Sequence, residues 1–192
     1  MYEAIVIGVS AGGLAVLTVI LQVLPADYPL PLIVTQHRSK EERDLLEEVL
    51  QARCAIRIRQ ADEKEAIAGG AVYLAPADYH LLIEEDRTFS LSSDAPVNFS
   101  RPSIDLLFET AAEVYGEKLV GIILTGASRD GAAGIKTIRD KGGFTIAQDP
   151  ARAPFPLMPR AAIDTGSVQS ILAPEEIGEY LLQVGKKPFS HV

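Results

Sequence analysis

The chain has 192 residues with 18 Lys+Arg against 26 Asp+Glu, a formal net charge of −8 at pH 7. Hydrophobic residues make up 47% and charged residues 23%, which excludes a disordered or fibrous class; at this length one domain, residues 1–192, can bury roughly 70% of its unfolded surface. The acidic balance argues against a nucleic-acid partner and against an anionic-membrane surface, both of which want clustered Lys/Arg. Cys54 is the only cysteine, so an intramolecular disulfide and a multi-cysteine metal site are excluded, and a reducing cytoplasm is the expected compartment.

Residues 4–24 carry no charge, a length that could pass for a membrane span. Glu3 stands where a signal peptide needs a positive flank, and Gly8, Gly12 and Gly13 punctuate the run. It therefore reads as a buried strand, a tight turn and a buried helix, with no membrane insertion. The strand is residues 4–7, the helix carries Leu14, Leu17, Leu21 and Leu24 at helical spacing, and Pro25 ends it. A second apolar strand, 32–35, runs into Gln36-His37-Arg38. Ser39-Lys40-Glu41-Glu42 has the spacing of a capping box ahead of Leu45, Leu46, Val49 and Leu50. Strand–helix–strand–helix is the opening of a doubly wound α/β fold with a mostly parallel sheet and helices on both faces.

The middle of the chain changes character. Segments 56–58, 71–74, 81–83 and 89–91 predict short strands, expected as an antiparallel excursion with an edge hairpin. Arg101-Pro102-Ser103 opens a helix through Tyr115, closed by Gly116. An apolar strand over 119–125, a helix over 131–141 and a strand over 144–147 follow. Next come a proline-rich loop (Pro154, Pro156, Pro159) into a short helix and a last helix from Pro174.

Functional groups in an open α/β sheet gather beyond the carboxyl ends of its strands. Three such ends are Gly8-Val9-Ser10-Ala11-Gly12-Gly13, Gln36-His37-Arg38 and Thr125-Gly126-Ala127-Ser128-Arg129-Asp130-Gly131. They supply a serine, a histidine and an aspartate, the parts of an activated serine nucleophile. Gly8-Val9-Ser10-Ala11-Gly12 matches a nucleophile elbow, with the Ala11 N–H as oxyanion donor; a phosphate-binding or merely tight turn is the plainer reading. A dinucleotide fingerprint and a P-loop both fail on spacing. His37 is either a structural or a catalytic imidazole. His80, in a turn before an apolar strand, is either structural or a substrate-side contact. Asp130 could cap the helix after it, orient an imidazole, or both; Asp78 and Asp105 are weaker rivals. No His/Cys/Asp pair has metal-ligand spacing on one element.

At these residues the sequence resembles the catalytic domain of bacterial chemotaxis protein-glutamate methylesterases. The likeness runs through Ile5–Gly13, Thr35-Gln36-His37, Val72–His80, Arg101–Asp105, Leu124–Ala132, Ile146–Asp149 and Met158–Ala162. It implies a cofactor-independent hydrolase of glutamyl methyl esters on the cytoplasmic helices of methyl-accepting chemoreceptors, with deamidation of receptor glutamines as a second activity. By motif it implies Ser10 as nucleophile, His37 as base and Asp130 as orienting acid. Two departures stand out. Ala127 replaces the methionine of the family's Gly-Met-Gly loop, and Met1 stands three residues before the first strand, so no receiver domain is expected in this chain. Arg38 and Arg129, beside the implied base and acid, either form a positive rim for an acidic substrate or pair with local carboxylates such as Glu41 or Asp130. Two rivals remain: a hydrolase of the same fold acting on a non-chemotaxis protein or a small ester, and a non-catalytic module that binds an anion at the Gly-rich turn.

Overall fold

The apolar, β-branched runs of the sequence become strands covered on both faces. The structure, a computed structural model, describes residues 1–37 and 45–186. Strand β1 (Ala4–Val9) is buried at every position. Ile5, Ile7 and Val9 face one apolar layer while Ala4 and Val6 face the other, as a central parallel strand requires. Helix α1 (Gly13–Leu21) comes next, then β2 (Leu32–Gln36) and α2 (Leu45–Gln51). The uncharged run 4–24 is thus strand, turn and helix, and among the described residues no helix is long and apolar enough to cross a membrane. The capping box at 39–42 lies outside the described residues. Cys54 is buried, and burial pushes its thiol pKa up.

Strands β3 (Arg57–Gln60) and β4 (Ala71–Leu74) depart from expectation, because both join the main sheet in parallel register, β4 against β2 and β3 against β4. Among the strands of the described residues, β5 (His80–Ile83) and β6 (Phe89–Ser92) are the pair that runs antiparallel, and they form a separate two-stranded sheet rather than an edge of the large one. Short strands read alike in either direction; the partner decides, and β3 and β4 find parallel partners. Helix α3 (Ile104–Tyr115), β7 (Leu119–Ile123), α4 (Ala132–Asp140), β8 (Phe144–Gln148) and α5 (Leu157–Asp164) keep the predicted order. A short strand, β9 (Ser170–Leu172), has no counterpart among the predicted elements; three residues with no buried member give no period to read. Helix α6 (Pro174–Gly185) ends the described chain.

Among the described residues the main sheet has the order β3-β4-β2-β1-β7-β8-β9, all parallel. Helices α1, α2 and α6 pack on one face; α3, α4, α5 and the β5–β6 hairpin pack on the other. From β1 the chain moves to β2 on one side and later resumes at β7 on the other. The pair β1/β7 is therefore the switch point, where loops diverge and leave a crevice.

One contact brings α3 into that crevice. A Cβ on Gly8 would lie 2.3 Å from Ile104 Cγ2, and one on Gly131 would lie 2.7 Å from the same atom. Both glycines let the first residue of α3 wedge against the end of β1 and the turn after β7. Gly8→Ala is expected to cost about 1–3 kcal/mol by overpacking. In scanning calorimetry that lowers Tm by about 2–4 °C per kcal/mol in a chain of this size. An unchanged Tm would mean that α3 yields without strain.

Candidate active site

Ser10 lies one residue beyond β1 in a turn locked from both sides. Its N–H donates to Thr125 O at 2.9 Å, and its carbonyl accepts Gln36 Nε2 at 3.1 Å and Gly13 N at 3.0 Å. His37 continues the ladder of β2, its N–H donating to Val9 O at 3.1 Å. Together with Ala11, Gly13, Leu14 and Arg53, these two residues line a cleft of about 510 Å³. Thr125 braces the floor: its Oγ1 donates to Ala11 O at 2.9 Å and accepts the Phe155 N–H at 2.9 Å. Among the described residues the Ala11 N–H has no hydrogen-bond acceptor, which leaves it free for an oxyanion at the start of α1.

His37 meets Asp130 through Nε2, 2.8 Å from Oδ2. A buried carboxylate holds a proton on the imidazole nitrogen facing it, so Nδ1 is the basic nitrogen left to serve the cleft. Asp130 has no exposed side-chain surface. Its Oδ2 also accepts the Ile104 N–H at 2.6 Å; its Oδ1 accepts Ser103 Oγ at 3.1 Å, the Asp105 N–H at 3.2 Å and Asn98 Nδ2 at 3.4 Å. Burial alone would raise the pKa of this carboxyl, yet the bonds from His37 and the Ile104 N–H outweigh it and hold the pKa below the usual carboxylate value. Asp130 therefore takes donors at the N-terminus of α3. It is not the cap of α4, the next helix in the chain, whose N-cap is Gly131 (φ 94°) with no side-chain cap. A sequence places a cap on its nearest helix; here the fold supplies a more distant one.

Asp105 is a neighbour rather than a rival. Its Oδ1 accepts the Gly134 N–H at 2.7 Å and its Oδ2 accepts Asn98 Nδ2 at 2.8 Å. Burial, opposed by the Gly134 N–H and reinforced by the Asp130 charge, pushes its carboxyl up to about 6. Asp78 accepts Arg101 Nη2 at 2.6 Å and Nε at 3.0 Å.

His80 corrects an expectation. It is fully buried, with Nδ1 accepting the Ser103 N–H at 3.0 Å and Nε2 donating to Ala95 O at 3.1 Å. It cannot touch a substrate. Ala127 and Arg129 are exposed on the loop after β7 and do not line the cleft; Arg38 lies outside the described residues. The cation that does line the cleft is Arg53, just past α2, and among the described residues it makes no ion pair. Nothing in its local sequence marks it, because tertiary folding alone carries the end of α2 beside Ser10. Ser103 carries the signal of a helix cap, but not its direction toward Asp130.

The family described as CheB methylesterase matches residues 5–181. The chain belongs to that family. Membership makes it a carboxylic-ester hydrolase. It is 51% identical over 183 residues to a candidate protein-glutamate methylesterase/protein-glutamine glutaminase of Leptospira interrogans, covering 95% of each chain. It is 36% identical to the protein-glutamate methylesterase FrzG of Myxococcus xanthus, covering 95% of this chain and 54% of that one. The CheB methylesterase catalytic domain of Thermotoga maritima superposes with a TM-score of 0.92 at 31% identity, covering 96% of this chain and 99% of that one.

The raised Asp105 pKa has a stability consequence. In the folded state Asp105 binds its proton up to about pH 6, and in the unfolded chain only to about 3.8. Its contribution therefore becomes less favourable as pH rises from about 4 to about 6. Asp105→Asn is expected to gain stability over the parent chain across that interval, read as a difference in urea midpoints. A difference independent of pH would mean that Asp105 ionises normally in the fold.

Proposed function

We propose that residues 1–192 act as one cytoplasmic catalytic domain that hydrolyses glutamyl methyl esters on chemoreceptor helices and deamidates receptor glutamines. Ser10, His37 and Asp130 would form the triad. The observation that carries this reading is the 2.8 Å His37–Asp130 contact, set beside a serine on the same cleft. The names of the Leptospira and Myxococcus relatives support the substrate class.

In this mechanism His37 Nδ1 takes the hydroxyl proton of Ser10 as Oγ attacks the ester carbonyl. The Ala11 N–H and the N-terminus of α1 receive the oxyanion. His37 returns the proton to the leaving methoxide, releasing methanol and leaving a glutamyl ester on Ser10. Water, deprotonated by the same nitrogen, then frees the glutamate. For a glutamine side chain the leaving group is ammonia and the steps are the same. Asp130 keeps the imidazole proton on Nε2 and stabilises the imidazolium.

Methanol release from methylated receptor is the direct assay. Ser10→Ala and His37→Ala should each lower kcat by about four or more powers of ten, with the double variant little worse. Asp130→Asn should cost on the order of 10³–10⁴ by favouring the wrong tautomer. Retained methanol release in Ser10→Ala would refute the mechanism, and a chain inert toward a serine-directed phosphonate would favour the anion-binding module instead.

Arg53, and not Arg129, lines the cleft where a positive rim was expected. In a chain of charge −8, a guanidinium on the cleft offsets repulsion of an acidic substrate locally. Arg53→Glu should raise KM for receptor while leaving a small neutral ester nearly unaffected, and added salt should shrink the gap. Equal losses on both substrates would give Arg53 a structural role only.

A further inference from the structure

We propose that His80 is a positioning residue for this hydrolytic site, acting through Ser103 and Asp130 without touching substrate. The inference rests on the reading above. Two segments that the triad leaves unexplained, Asp78–His80 and Arg101–Ser103, are joined at two points. Arg101 Nη2 donates to Asp78 Oδ1 at 2.6 Å, while its Nη1 donates to Ser93 O at 2.7 Å. Two residues further along each segment, the Ser103 N–H donates to His80 Nδ1 at 3.0 Å, and the far side of the ring is tied to Ala95 O. The ring is therefore neutral, with its proton on Nε2.

The position of Ser103 matters because of the donors attached to it. Its hydroxyl and the N–H groups of Ile104 and Asp105 all donate to Asp130. The Oδ2 atom that accepts the Ile104 N–H is the same atom that faces His37 Nε2. A shift of Ser103 would carry these donors with it and turn the carboxylate away from the imidazole. His80 also takes the N–H of a residue that starts a helix, a donor with no intrahelical partner. A purely structural histidine would satisfy that donor without affecting His37, so the two roles separate experimentally.

Asn and Gln divide the functions of the ring. In H80N the side-chain oxygen falls near the position of Nδ1 and can accept the Ser103 N–H; in H80Q the amide nitrogen falls near Nε2 and preserves the bond to Ala95. With both variants folded at the assay temperature, H80Q is expected to lose kcat for methanol release by about tenfold more than H80N, with equal KM for methylated receptor. Imidazole ¹⁵N NMR should show the Nε2-protonated fraction of His37 falling in H80Q but not in H80N. Losses of kcat that track stability alone, with the His37 tautomer the same in both, would overturn the proposal. Should H80Q not fold, a cycle of H80A with S103A at a temperature where each is folded decides: non-additive losses of kcat support action through Ser103, and independent losses refute it. Methanol release that survives Ser10→Ala would overturn the mechanism instead, and the His37 tautomer would still report on the His80 contact.

Discussion

The site depends on a carboxylate held dry. Asp130 has no exposed side-chain surface, and an ionised carboxyl there is tenable only because its oxygens are met by donors. Three come from consecutive residues at the start of α3, one from Asn98 and one from His37. The helix end supplies N–H groups that have no partners of their own, and the aspartate supplies the acceptor they need. The helix and the acid thus satisfy each other. The imidazole gains a rigid partner, because moving the acid would expose the helix end as well.

That arrangement sets conditions on the rest of the fold. Helix α3 must reach the ends of β1 and β7, and it can because Gly8 and Gly131 leave room for Ile104. The loop carrying Asn98 must fold back over the acid pair. The first residue of β5, His80, must stand behind Ser103, which the β5–β6 hairpin achieves by packing on the same face as α3. The hairpin is not an edge to the large sheet; it places His80 against Ser103 at the start of α3. Asp105 bears a cost of the arrangement, since a second buried carboxyl beside a fixed negative charge holds its proton up to about pH 6.

The cleft is ordered largely by backbone hydrogen bonds. The Ser10 backbone is fixed by Thr125, Gln36 and Gly13. One face of His37 is assigned to Asp130, leaving a single nitrogen for the cleft. Preorganisation of this kind lowers the reorganisation a reaction must supply when charge develops. Arg53 adds a positive charge at the rim of an otherwise acidic chain, where the local field and the net charge have opposite signs.

By itself the sequence determined the α/β class, the order of its central strands and helices, and the three strand ends that carry Ser10, His37 and Asp130. Those features are local: apolar runs of strand length, helical spacing of Leu14, Leu17 and Leu21, and glycine-rich turns all act within a few residues. The motif resemblance added the family, which the family match and the Thermotoga superposition bear out. Tertiary structure alone decided the rest. The direction of β3 and β4 depended on which strand lay beside them, and β9 was too short to show a period. Three of the Asp130 donors came from the start of a helix some 26 residues earlier in the chain, whereas a local reading gives it the next helix along. His80 reads locally as a turn residue, and only the hairpin buries it behind Ser103. Arg53 gains its place on the cleft only when α2 packs beside α1. In each case the deciding partner is distant in sequence, and a residue's own neighbours carry no record of which distant group will satisfy its hydrogen bonds or remove its water.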